Sequence, residues 1–340
     1  MNITFYEGDS AFDALAGEWN ALLERSASDT PFLRLETQRA WWAHKGGGEW
    51  PHGDLLLAAG RDEAGRLAGI APLFRAPQNR DGQAALMLVG SIEISDMLDL
   101  IAPPEQLPAF VAALLDALAT RPDWHTLDLY NLPEASPTRR ALADAAGARG
   151  WLATETRLQP CPVIALPGDF DAYLEGIDKK QRHEIRRKLR RAESGDPAVS
   201  WRIVPPQAEI EPEIERFLQL MAHDPDKARF LTPPMRAQFH DLIRAAHDNG
   251  WLQLAFLQVE GQTAAGYLNF DYLNRLWIYN SALDPQYNYL SAGWVLLGYL
   301  LQWANENGRS EFDFMRGDED YKFKFGGVAR YVWRLTVQRT

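Results

Sequence analysis

One cysteine, Cys161, stands in 340 residues, so an internal disulfide and a cysteine-built zinc site are both excluded. A chain this poor in cysteine suits a reducing compartment. Positive charge is also in short supply. Lys and Arg number 35 against 46 Asp and Glu, a net charge of −11, which argues against a general DNA binder or a protein drawn to anionic membranes. No apolar run approaches the roughly 18 residues that a membrane span needs; the longest apolar helix candidate is interrupted by Gln302 and Asn305. Met1–Glu7 has neither the basic nor the apolar region of a signal peptide, so a cytoplasmic protein is expected. The seven histidines are scattered with no HExxH spacing, and no metal site is expected. A GxSxG elbow and a Walker loop are missing as well, which disfavours a hydrolase or an NTPase.

What is present is ample material for packed cores. Hydrophobic residues make up 46% and aromatics 11%, and the length suits two domains of ordinary size. Asn2–Glu7 alternates like a strand, and Ala11–Leu23 carries Phe12, Leu15, Trp19 and Leu22 at helical spacing. A second helix over Leu35–His44 is followed by strands at Leu55–Ala59 and Ala68–Phe74, joined by the turn signal Asp62–Gly65. Strand candidates at Ala85–Val89 and Met97–Ile101 precede a helix over Gln106–Ala119, a strand at Leu127–Tyr130 and a helix over Pro137–Gly147. The second half repeats this in outline. A strand at Pro162–Leu166, a capped helix start at Asp169 and a long basic helix over Lys179–Glu193 lead to a strand at Trp201–Val204. Helices over Ile214–Met221 and Met235–His247, a hairpin of Leu252–Val259 with Ala264–Tyr272, and a strand at Leu276–Leu283 follow. A helix over Ala292–Glu306 and closing strands at Phe312–Met315 and Val332–Gln338 complete it. Shared element order without visible identity points to a tandem duplication, with domains 1–158 and 159–340.

The densest chemistry lies near the C-terminus, in Phe312-Asp313-Phe314-Met315-Arg316-Gly317-Asp318-Glu319-Asp320-Tyr321-Lys322-Phe323-Lys324-Phe325-Gly326. A short alternating strand runs into Gly317, which permits a sharp turn, and titratable groups of both signs follow. A polar loop with edge-protecting lysines is one reading of such a segment. The pattern Phe-Asp-Phe-x-x-Gly-x-x-x-Tyr-Lys-x-x-Phe-Gly also resembles the C-terminal signature of the CelD-like acetyltransferases of the GNAT superfamily, relatives of the Fem peptidoglycan peptidyltransferases.

That resemblance implies an α/β fold of two tandem GNAT-like domains, mixed twisted sheets flanked by helices, with acetyl-CoA as acyl donor. The donor would be cradled where Leu283 leads through a turn to Leu290, Ser291, Ala292, Gly293 and Trp294. Small residues there let a phosphate approach free backbone N–H groups at a helix start. A plain serine-capped helix is the alternative, and the superfamily's more usual glycine-rich loop is absent. The basic helix offers Arg182, Arg186, Arg187 and Arg190 as an anion site, and its local charge density favours that over a merely solvated face. The aromatic strand pair 266–272 and 276–282 puts Trp277, Tyr279 and Ser281 on one face and Asn280 on the other. The resemblance implies acceptor contacts at Tyr279, Asn280 and Arg316.

Aminolysis needs a base for the amine and an acid for the leaving thiolate. By resemblance Tyr321 is the acid; Asp318, Glu319 or Asp313 would act as base, and Lys322 or Lys324 would hold an oxyanion or an anionic acceptor. The N-terminal domain lacks the Ser-Ala-Gly helix start and is expected to be non-catalytic, shaping the acceptor cleft. The expected activity is N-acyl transfer from acetyl-CoA to an amine of an envelope, polysaccharide or small-molecule precursor. A Fem-like enzyme using aminoacyl-tRNA, and an inactive GNAT pair serving assembly, remain as alternatives.

Overall fold

The structure, a computed structural model, describes residues 1–339. It divides into two compact units: Met1–Gln159 together with the chain from Tyr331 onward, and Pro160–Arg330.

The first stretch of chain forms β1 (Asn2–Glu7), α1 (Ala11–Leu23), α2 (Leu35–Ala43), β2 (Asp54–Arg61), β3 (Leu67–Ala76) and β4 (Ala85–Leu88). Then come α3 (Leu107–Ala119), β5 (Thr126–Pro133), α4 (Thr138–Gly147) and β6 (Leu152–Ala165), whose last residues belong to the second unit. That unit continues with α5 (Phe170–Gly176), α6 (Lys179–Ala192), β7 (Val199–Ile203), α7 (Ile210–Met221), α8 (Pro225–Phe230) and α9 (Pro233–Asp248). The meander β8 (Leu252–Val259), β9 (Gln262–Tyr272) and β10 (Arg275–Leu283) leads through a 3-10 turn, Pro285–Leu290, into α10 (Ala292–Glu306). The chain ends with β11 (Glu311–Asp313), α11 (Asp320–Lys324) and β12 (Val328–Gln338).

The strands of each unit follow one plan. Their order is β1-β2-β3-β4-β5-β12 in the first and β7-β8-β9-β10-β11-β6 in the second. Each is antiparallel except at one parallel pair, β4 with β5 and β10 with β11. The sixth place is taken in the first unit by β12, from the end of the chain, and in the second by the end of β6. The second domain, expected over 159–340, ends at Arg330. The final strand instead pairs Leu335 with Leu129 and Val337 with Leu127, because that register buries Val332, Leu335 and Val337 and brings Arg334 to Asp128.

Three further local differences have physical causes. Met97–Ile101 is buried coil with one bridge, Ile101 to Ile70, rather than a strand; its apolar residues fill space without a ladder. The strand expected to reach Met315 stops at Asp313, since Met315 is left-handed (φ 58°) and the chain has already begun to turn. Helices α8 and α11 are not among the expected elements. For α8 the signal was there: Pro225 in the first turn and Asp224 accepting from Asp226 N and Lys227 N.

The second core lies between the sheet and two helices. Ile185 and Leu189, four apart on α6, are buried against α10, where Gly298 leaves room for the Leu189 side chain. Each such side chain contributes roughly 1.5–3 kcal/mol by leaving water. The basic residues of α6 are thereby fixed in direction by its apolar stripe.

Candidate functional site

The site begins where two parallel strands part. β10 pairs with β11 only over Arg275–Trp277 and Glu311–Asp313, while β10 itself continues to Leu283. Opposite the unpaired part of β10, the chain after β11 turns at Met315 and Gly317 (φ 132°) into α11. Two cavities meet in this opening, one of about 330 Å³ and one of about 230 Å³, and both are lined by Tyr267, Ser281 and Tyr321.

A bulge in β10 shapes the boundary. Pairing with β9 slips between Ile278 and Asn280, so strict alternation fails there. Trp277 and Asn280 share a face with their partners Phe270 and Leu268, and Ser281 falls with Ile278 on the other. The expected grouping of Trp277 with Ser281 is thus corrected. Tyr279 stacks on Phe270 (5.2 Å between rings), and Tyr279, Asn280 and Ser281 all reach the smaller cavity.

The larger cavity contains the start of α10. Leu283, Ser291, Ala292, Gly293 and Trp294 line it, whereas Leu290 turns into the core at 5% exposure. Ser291 is left-handed (φ 55°) and its side chain does not cap the helix, so the first-turn N–H groups keep their donor capacity. Its hydroxyl accepts from Lys188 Nζ at 3.0 Å, and that ammonium lies 4.2 Å over the Trp294 ring. A Cβ on Gly293 would come within 2.8 Å of the end of the Leu283 side chain, which would have to swing aside. Burial lowers the Lys188 pKa, with Glu184 acting in the opposite direction. Lys188 is absent from the residues selected by sequence. It was findable, because at helical spacing it adjoins the Ile185/Leu189 stripe that faces α10.

Of the arginines on α6, Arg187 lines one of the described cavities. It lines a groove of about 700 Å³ with Lys180, His183, Lys188, Trp294 and Lys324, and pairs with Glu184 at 2.8 Å. Arg182 donates to Glu175 O (3.3 Å), Arg186 to Asp171 (2.8 Å) and Arg190 to Arg186 O (3.3 Å), and none of the three lines a described cavity.

The segment after β11 is sorted by the fold. Tyr321 packs edge-on against Phe314, and burial, with Glu319 second, raises its hydroxyl pKa well above the ordinary tyrosine value. Tyr267 is raised in the same way by burial, and its hydroxyl donates to Gly293 O at 3.4 Å. Two protonated phenols therefore stand at the meeting of the cavities. Lys322 is 3% exposed; it donates to Arg316 O (2.7 Å) and pairs with Glu319 (2.9 Å), so its head group pins the turn. A side chain at Gly317 would collide with that ion pair, which explains the glycine. Glu319 and Arg316 line the smaller cavity, Lys324 pairs with Asp320 and faces the basic groove, and Asp318 is exposed and lines neither cavity. Asp313 is buried, accepts from Met315 N at 2.9 Å, and is pushed up to about 6 by burial. Among the described residues no three His, Cys, Asp or Glu side chains converge as a metal site would require, and no helix is long and apolar enough to cross a membrane.

Residues 179–323 match the family described as an acetyltransferase (GNAT) domain. The chain is similar over 98% of its length to the crystal structure of FemX, at 12% identity, 97% of that chain and a TM-score of 0.65. It is similar over 95% to the structure of L-PGS from Bacillus licheniformis, at 14% identity, 91% of that chain and a TM-score of 0.59. A conserved protein of unknown function from Bacteroides thetaiotaomicron VPI-5482 aligns over 99% of this chain and all of its own, at 12% identity and a TM-score of 0.63. No curated protein matches the sequence. Residues 179–323, all in the second unit, are thus similar to a GNAT domain, and the whole chain shares the fold of FemX.

Proposed function

We propose that the protein is an acyl-CoA-dependent N-acyltransferase that uses acetyl-CoA in the cytoplasm and acylates an amine of an envelope, polysaccharide or small-molecule precursor. One observation carries this reading. The uncapped start of α10, with Lys188 held on Ser291, opens into a cavity that meets a second one at Tyr321.

The residues present suit a phosphorylated donor. Free N–H groups at a helix start together with a lysine favour phosphate oxygens, and glycine at 293 leaves the backbone approachable. When bound, an acyl thioester supplies a carbonyl carbon for an amine to attack, with a thiolate as leaving group. The rest falls to this chain. Tyr321, protonated at neutral pH, is the proton donor at the meeting of the cavities. Glu319, at the edge of the smaller cavity, accepts the proton of the amine directly or through water. Lys322 holds the turn that positions both. Calorimetric titration with acetyl-CoA tests the cradle: Ser291→Glu should weaken binding by ten-fold or more, and unchanged affinity would remove it.

A second reading has its own support. The basic groove of Lys180, Arg187, Lys188 and Lys324 shares Lys188 and Trp294 with the donor cavity, and suits the end of an aminoacyl-tRNA. Mass-spectrometric identification of what co-purifies, coenzyme A or RNA, separates the two.

A further inference from the structure

The smaller cavity has a charge pattern at odds with the acidic chain around it. Lys227, Arg316 and Lys322 line it, against one carboxylate, Glu319. Lys322 and Glu319 pair with each other at 2.9 Å and largely cancel. Arg316 has a partner of its own, so the charge left to be matched is that of Lys227.

Lys227 is the residue to weigh. It comes from α8, away from the α11 segment, and its ammonium donates to Asn280 Oδ1 at 3.1 Å and to Ser281 O on the bulged part of β10. Both partners are neutral, and among the described residues no carboxylate lies within ion-pair distance of it. Its own cap residue, Asp224, instead accepts from the backbone N–H groups of Asp226 and Lys227. Holding a half-buried ammonium on two neutral acceptors is unfavourable unless an anion completes it. Burial lowers its pKa accordingly. The bulge that brings Asn280 to Lys227 thus builds a cation-lined wall on the acceptor side of Tyr321.

We propose that this cavity is an acceptor subsite for compact amines bearing an anionic group, carboxylate or phosphate, near the reacting nitrogen, with Lys227 as the anion's partner. The proposal rests on the acyltransferase reading and names the substrate class for it. Size agrees: the cavity of about 230 Å³ has room for a ligand end of amino-acid dimensions. The anion on Lys227 leaves the amine directed to the shared edge at Ser281, Glu319 and Tyr321.

The test uses the full chain, acetyl-CoA, and amines in matched pairs. β-Alanine with propylamine probes a carboxylate; O-phosphoethanolamine with ethanolamine probes a phosphate. Thiol release should favour the anionic member of at least one pair by ten-fold or more in kcat/KM, and the pair that shows the gap tells carboxylate from phosphate. Lys227→Met should erase the gap by raising the acceptor KM, with the acetyl-CoA KM unchanged, and Lys227→Arg should restore most of it. Asn280→Asp, which neutralises Lys227 in place, should mimic the methionine variant even if that one folds poorly. Equal use of neutral and anionic amines, or a gap that persists in Lys227→Met and Asn280→Asp, overturns the proposal. If no amine releases thiol, the acyl-CoA reading is judged separately, by calorimetric titration with acetyl-CoA. The subsite is then judged by calorimetry of the same amines alone. Binding of an anionic member that Lys227→Met weakens supports it, and failure of both anionic members to bind overturns it.

Discussion

The two units share a strand plan and put it to opposite use. In each, a parallel pair is joined over three residues: Ala85–Met87 with Thr126–Asp128, and Arg275–Trp277 with Glu311–Asp313. Beyond that point the first unit closes itself. β4 stops at Leu88, and the following coil is buried, held by Asn131, whose side chain donates to Ile92 O (3.0 Å) and Ser95 O (2.8 Å). Helix α3 begins with the fully buried Leu107 followed by proline. In the second unit β10 runs six residues further, bulges, and ends at a helix start of Ser291, Ala292 and Gly293 beside a cavity. The difference teaches that the sheet supplies only the fork. Whether a fork opens into a cavity depends on strand length and on small residues at the next helix start.

The largest test of this contrast is Tyr321→Phe. Loss of a positioned general acid typically costs about 10²- to 10⁴-fold in rate, so thiol release should fall by that much. Tyr130→Phe, in β5 of the first unit, should leave turnover unchanged. If the two variants behave alike, the contrast is lost.

Next comes Lys188→Met, which should weaken acetyl-CoA binding by about ten-fold and flatten its salt dependence, since one phosphate-facing charge is gone. Burial lowers the Lys188 pKa, so wild-type affinity should decline with rising pH before the ordinary lysine range is reached. The methionine variant should show no such decline. A calorimetric pH series reads both.

Two acids at matching positions sharpen the comparison further. Asp128 and Asp313 are each third in the parallel pairing. Asp128 accepts from Arg334 at 2.7 and 2.9 Å and from Asn79 at 2.8 Å, while the nearest cation to Asp313 is Arg275 at 3.7 Å. Asp128→Asn should cost about 1–3 kcal/mol by stripping Arg334 of a buried partner. Asp313 titrates at about 6, above its unfolded value of about 3.9, so the folded protein keeps a proton that the unfolded chain has lost. Stability should therefore fall as pH rises from about 4 to about 6 and stay lower above it. Asp313→Asn should remove that slope and be neutral or stabilising at pH 7. Denaturant melts across pH would decide it.

The smallest effect is expected from reversing Arg186 and Arg187 together. Their pairs with Asp171 and Glu184 lie on the surface, and such pairs contribute at most about 1 kcal/mol. The melting temperature should hardly move. Donor affinity should drop modestly, through Arg187 in the basic groove.

Much of this was legible in sequence because it is periodic or punctuated. Alternation gave β9 and β10, the Ile185/Leu189 stripe gave the buried face of α6, and Gly317 marked the turn after β11. What escaped depends on distant partners. The pairing of β12 with β5 is a choice among buried registers that no local pattern records. The bulge at Asn280 breaks the alternation used to assign faces. Lys227 and Lys322 read alike as basic residues, and only the fold sets one on neutral acceptors in a cavity and the other on an ion pair under a turn.

Hydrogen exchange with and without acetyl-CoA tests the central claim most directly, because it follows both helix starts in one experiment. The account predicts slowed exchange at Ala292, Gly293 and Trp294 in α10 and no change in the first turn of α3. Protection at α3, or none at α10 at saturating acetyl-CoA, would contradict it.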